Sequence, residues 1–250
     1  MNDHGLISRN YDIEPVGSVL PAHFGPLFPR KDWPELIKLQ EKRKASPLDV
    51  HQYNDVPILD QGRLKYCWQF SVTAAVMNRY AFAGINRPVP HLSATAAAAQ
   101  GKRFCNAGGY ASEGCQYVQK YGLPTVEFWP ERSMDRSLAK DADVKKSANR
   151  HDLVAFGDLD GNDLDLAISA LIDPDGANPV TFSLPWWRHA ICGLKIRFRG
   201  GGANKLESYG LTFVNSYGSE WGVNGYNTIW GDQLRGNEYI VVTQVKARAE

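Results

Sequence analysis

The run CWQFSVTAAVMNRY, residues 67–80, constrains the fold of this chain more than any other stretch. Trp68, Phe70, Val72, Ala74, Ala75, Val76 and Met77 go almost all the way round a helix and leave no wide face for water. Such a helix has to be wrapped by other layers, and 250 residues supply ample material for a core of that kind. The predicted helix begins at Cys67, directly after the turn-like stretch DQGRLKY.

Other elements can be read around it. Residues 1–55 are punctuated by Pro15, Pro21, Pro26, Pro29, Pro34 and Pro47, and read as an N-terminal arm. The arm has one short helix from Asp32, with Asp32 as cap and Pro34 in the first turn. HLSATAAAAQ predicts a helix capped by Ser93, and ASEGCQYVQKYG one closed by Gly122. Residues 56–152 are therefore expected to be mainly helical. From about residue 153 the pattern changes: the helix DLDLAISALI is followed by PVTFSL, HAICGLKIRF, YGLTFVN, YNTIW and YIVVTQV, which read as strands. A helical half and a strand-rich half, 153–250, suggest an α+β chain with two lobes. Lys195, Arg197 and Arg199 alternate, as on the solvent face of one strand. GDLDGND lacks the acidic ligands of a calcium loop, and Asp163 is expected to cap the next helix.

Lys+Arg of 28 against Asp+Glu of 27 gives a net charge of +1, so nothing in the field of the chain calls for nucleic acid or anionic lipid. No apolar run approaches the roughly 20 residues of a membrane span, and MNDHGLISRNYDIEPVGS does not read as a signal peptide. Cys67, Cys105, Cys115 and Cys192 are spaced by 38, 10 and 77 residues, with no zinc-type pattern; no metal and no organic cofactor is expected. Unpatterned cysteines without a signal peptide suggest free thiols in a reducing setting, cytoplasmic or inside an intracellularly assembled particle.

A cysteine at a helix N-terminus becomes a nucleophile when an imidazolium stabilises its thiolate. Of the six histidines, His4, His23, His51 and His151 lie in arm or loop contexts and are expected to be exposed, and His91 opens the second helical region. His189 begins a strand. If HAICGLKIRF and YGLTFVN pair across RGGGANKLES, His189 and Asn215 stand at neighbouring ends, equidistant from residue 202. An Asn oxygen accepting the ring N–H would fix the imidazole tautomer, so Cys67, His189 and Asn215 form a mechanistic set.

These residues resemble the papain-like cysteine peptidases. DQGRLKYCWQFS resembles the family's Gln-Gly followed by Cys-Trp and Phe-Ser; CNAGGY its Cys-Asn-Gly-Gly-Tyr; KYGLPTVEFWP its post-helix turn; and VNSYGSEWGVNGY its Asn-Ser-Trp-Gly segment. The pieces follow in order from Val56 to Trp230. The resemblance implies a two-lobed α+β fold, a helical lobe whose central helix starts at the nucleophile, an antiparallel β-rich lobe and an active-site cleft between them. It makes Cys67 the nucleophile, His189 the base and acid, Asn215 the orienting residue and Gln61 the side-chain oxyanion donor beside the Cys67 N–H. Gly108 and Gly109 become the wall that hydrogen-bonds a peptide or protein substrate, and Trp221 flanks the leaving-group side.

The chain departs from the pattern in places. Leu64 stands where secreted members have the cysteine that would pair with Cys105. Lys65 and Tyr66 replace small residues, which predicts a narrowed cleft floor with Tyr66 against the substrate. Arg188 stands where Asp or Asn is usual, Tyr217 replaces the tryptophan over the His–Asn bond, and GGGANK lengthens the loop between them. The family's longer inhibitory propeptide does not fit in residues 1–55, although the short arm is long enough to cross the cleft. These departures motivate a second reading: an assembly protein, such as a virus-particle component, that keeps the fold as a docking module and meets a partner through its arm. A Cys-His amidase or transglutaminase type is disfavoured by Gln61 and NSYGSEWG.

Overall fold

A computed structural model describes residues 4–9, 25–84 and 88–247. The helices are α1 (Trp33–Arg43), α2 (Pro47–Tyr53), α3 (Cys67–Phe82), α4 (Ala94–Gly101), α5 (Ala111–Tyr121), α6 (Ala142–Ala148) and α7 (Leu164–Ile172). The strands are β1 (His151–Asp160), β2 (Val180–Leu184), β3 (His189–Phe198), β4 (Tyr209–Val214), β5 (Tyr226–Trp230) and β6 (Glu238–Ala247). They form one antiparallel sheet in the order β1-β6-β2-β3-β4-β5.

The helix that has to be wrapped is α3, and nearly all its residues are buried. Trp68 and Phe70 are fully buried, each contributing about 2 to 3 kcal/mol of transfer free energy. One sheet face closes on α3 through Ala190, Cys192, Leu194, Val214, Ile240 and Val242. The other packs on α7 and α1 through Phe182, Ile191, Ile196, Phe213, Tyr239 and Val241. A register shift between Gly193 and Lys195 reverses the alternation along β3. Leu194 therefore faces α3 while Ile196 faces α7.

That shift overturns the expectation of a solvent face at Lys195. Lys195 is buried and its Nζ lies 3.5 Å from Asp49 of α2, while Arg197 bonds Thr212 at 3.1 Å; only Arg199 is exposed, over the Trp230 ring. The covering helices belong to the stretch read as an arm. Trp33 is buried edge-on against Tyr209, and the N-terminus of α2 carries a Ser46–Asp49 capping box.

Several predicted caps differ. Asp32 and Ser93 occupy cap positions without capping through their side chains. Asp163 receives the Asp160 N–H instead of capping α7, in the short turn of GDLDGND. β1 was not expected: bulges at Leu153, Ala155 and Phe156 break its alternation. His51 and His151 are buried, against Tyr226 and the Leu123 carbonyl, rather than exposed. His23 lies outside the described residues.

Candidate active site

Cys67 is the first residue of α3 and is fully buried. The aligned peptide dipoles of α3 place a partial positive charge at its N-terminus, the polarity that favours a thiolate. Its neighbour Tyr66 faces elsewhere. The Tyr66 ring is buried edge-on to Trp68, and its hydroxyl donates to the Cys105 carbonyl at 2.6 Å. The prediction that Tyr66 lines a narrowed cleft is therefore wrong: the bulk is absorbed by the helical core.

β3 and β4 bring His189 to Asn215. His189 Nε2 donates to Asn215 Oδ1 at 2.7 Å, and that oxygen also accepts the Ser216 N–H at 2.8 Å. The hairpin is the expected one, but its register, Cys192 opposite Val214, is displaced from the symmetric pairing about residue 202. An amide oxygen can only accept, so Nε2 carries the proton and Nδ1 the lone pair. Nδ1 meets the Tyr217 hydroxyl at 3.3 Å. Tyr217 also stacks on the imidazole, with centroids 4.8 Å apart, the aromatic ring expected over the His–Asn bond. The Tyr217 hydroxyl is pushed well above its ordinary pKa by burial and by the nearby Cys67.

Three further rings close around His189. Trp187 lies 4.8 Å and His4 5.0 Å from it, and Trp221 packs on Trp187 and Tyr217. Enclosure lowers the His189 pKa to about 3; burial is the main cause, with the Asn215 bond opposing it and His4 adding to it. Arg188 is exposed, on the turn before β3.

Gln61 is tied into the same constellation. Its Oε1 accepts the Ser216 hydroxyl at 2.5 Å and its backbone N–H donates to the Ser216 carbonyl at 2.8 Å. That fixes the amide with Nε2 facing the Leu64 carbonyl at 2.7 Å and the His4 carbonyl at 3.4 Å. Ser216 thus holds the Gln61 side chain, a contact that sequence reasoning missed although Ser216 lies inside the NSYGSEWG segment.

Gly109 pairs with a peptide backbone, and that backbone is the chain's own. Gly109 N–H donates to the Gly5 carbonyl at 2.9 Å and the Ile7 N–H donates to the Gly109 carbonyl at 3.0 Å, a parallel bridge centred on Leu6. A Cβ on Gly108 would lie 2.6 Å from the Gly5 oxygen, so the wall needs glycine for this approach. Residues 4–9 thus run from the His189 ring along Gly108 and Gly109, which places the arm across the site. That His4 covers His189 was not legible in the sequence, because an arm histidine carries no periodicity to place it.

The four cysteines form no disulfide with one another, and Cys105 is exposed. Among the described residues no group of three or more His, Cys, Asp or Glu is placed to hold a metal ion. No described helix is long and apolar enough to cross a membrane.

No family model and no curated protein matches the chain. Solved structures do. Digestive procathepsin L 3 of Tenebrio molitor larval midgut superimposes with a TM-score of 0.58 at 18% identity, over 77% of this chain and 68% of that one. Xylellain, a cysteine protease from Xylella fastidiosa, gives 0.57 at 14% identity, over 75% and 83%. The bromelain protease from Ananas comosus, in complex with the E64 inhibitor, gives 0.59 at 16% identity, over 78% and 97%. At these identities the likeness is one of architecture: the chain has the papain-like two-lobed α+β fold, with helices around α3 on one side and the antiparallel sheet on the other.

Proposed function

We propose that the protein is a thiol peptidase of the papain-like type, held latent by residues 4–9. The observation that carries this reading is the 2.7 Å bond from His189 Nε2 to Asn215 Oδ1, which leaves Nδ1 as a base beside the Tyr217 hydroxyl, the group that also feels the nearby Cys67. With the arm displaced, water reaches His189 and the imidazole can hold a proton, pairing with a Cys67 thiolate. The thiolate attacks a peptide carbonyl. The oxyanion is met by Gln61 Nε2 and the Cys67 N–H, the donors that carry much of acyl-transfer catalysis. His189 gives its proton to the departing amine, and a water activated by the same nitrogen hydrolyses the thioester.

Latency rests on three contacts. The arm backbone occupies Gly109, the His4 carbonyl takes the Gln61 donor, and the His4 ring helps to keep His189 neutral. The occupied cleft also favours a second reading, an assembly module that docks a partner through the arm and cleaves nothing. Alkylation separates the two. Iodoacetamide or an epoxide probe, with the adducts mapped, is expected to mark Cys67 ahead of the other buried thiols, and the preference should vanish in His189→Ala. Equally slow reaction of Cys67, Cys115 and Cys192 would refute the peptidase and leave the assembly module.

A further inference from the structure

Three residues beyond the Leu6–Gly109 bridge, the arm turns a charged side chain into the interior. Arg9 is only 8% exposed, although it belongs to a segment laid over a cleft. Its Nη1 donates to Asp158 Oδ1 at 2.8 Å and Oδ2 at 2.7 Å, to Ser112 Oγ at 2.9 Å and to Glu238 Oε1 at 3.5 Å. The guanidinium carbon also lies 5.9 Å from the centre of the Tyr110 ring.

The receiving pocket is built independently of Arg9. Glu238, fully buried, accepts the Ala111 N–H at 2.9 Å, the Ser112 N–H at 3.0 Å, the Ser112 hydroxyl at 2.7 Å and the Ser183 hydroxyl at 2.8 Å. The first amides of α5 and two hydroxyls therefore hold that carboxylate in place. Asp158, on β1, adds a second buried carboxylate beside it. Two acidic side chains enclosed together favour a cation strongly, because their charges repel and their hydration has been given up. α5 begins at Ala111, two residues after Gly109, so the pocket adjoins the wall that pairs with the arm backbone.

We infer that Asp158, Glu238 and Ser112 form a binding pocket for the guanidinium of an incoming peptide, so that the cleft selects arginine-bearing peptides and Arg9 fills the pocket until one displaces it. Calling that peptide a substrate rests on the peptidase reading; the binding itself does not. Arginine suits the enclosed pocket better than lysine because a guanidinium is more weakly hydrated than an ammonium and gives up less on burial.

The test uses the full chain with Nα-acetyl-arginine amide and its neutral isostere, Nα-acetyl-citrulline amide. Arginine amide is expected to accelerate Cys67 alkylation in the wild-type protein saturably, and citrulline amide is not. By calorimetry, Arg9→Ala should bind arginine amide about tenfold or more tightly than wild type does, a gain lost on adding Asp158→Asn. Should Arg9→Ala fail to fold, the wild-type competition carries the test alone. Equal effects of the two amides in every folded protein would overturn the pocket. Arginine-selective binding in a chain that cleaves no peptide would refute the peptidase reading and leave the pocket standing.

Discussion

Gly5→Ala is the substitution that tests the arm without touching the groups assigned to chemistry. Gly5 has φ +95°, and a Cβ built there would lie 2.0 Å from the Lys65 carbonyl oxygen. An L side chain at positive φ costs about 1 kcal/mol or more. The clash with backbone then forces the arm to lift, which breaks the 2.9 Å bond from the Gly109 N–H to the Gly5 carbonyl, worth about 1 kcal/mol. Together these shift the balance between covered and open cleft by about 2 kcal/mol, or about 30-fold in population. Cys67 is fully buried while the arm is down, so alkylation proceeds through the open form. The second-order rate of Cys67 alkylation in Gly5→Ala is therefore expected to rise by about 30-fold, up to saturation of the open state. A rate within twofold of wild type, in a variant that folds normally, would refute the idea that residues 4–9 gate the site.

Tyr217→Phe removes the hydroxyl that faces His189 Nδ1 at 3.3 Å; freeing that lone pair should raise Cys67 alkylation about 3- to 10-fold, the value of one hydrogen bond, and a decrease would show that the hydroxyl assists instead. Asn215→Ala leaves the His189 Nε2–H without its acceptor, so peptide cleavage should fall about 10- to 100-fold, mainly in kcat. Acid should destabilise the fold through His51 as well as His189, since burial lowers both to about 3. The unfolded chain takes up those protons near pH 6.5, so this stability is complete above about 6.5 and declines as the pH falls toward 3, by about 3 kcal/mol per residue at pH 4. Thermal melts from pH 7 to 4 check this, and His51→Gln should lose less stability over that range than wild type does.

The legible parts of the molecule were those written in local pattern or in ordered motifs. The all-round apolar character of residues 67–80 led to α3, with the predicted start at Cys67. The β3–β4 hairpin brought His189 to Asn215 even though its register was misjudged, because a bulge at Gly193 leaves no trace in the alternation until Lys195 is seen to be buried. What escaped depended on contacts distant in sequence. Burial of Lys195 follows from α2 lying across it, and burial of His51 from Tyr226, 175 residues away. Tyr66 looked like an obstacle only because its rotamer could not be known: the Cys105 carbonyl draws the hydroxyl into the helical core. Arg9 and His4 gave no warning at all, since a short polar arm becomes informative only when the surface beneath it is known.

The central claim, that this fold is a working peptidase restrained by its own arm, is tested most directly by peptide cleavage. Full-length Gly5→Ala is incubated with a complex peptide mixture near neutral pH, beside the same protein carrying Cys67→Ser, and new peptide termini are counted by mass spectrometry. New termini that appear with Gly5→Ala and disappear with Cys67→Ser are the predicted result. Folded Gly5→Ala that alkylates rapidly at Cys67 yet generates no termini beyond the Cys67→Ser background would contradict it.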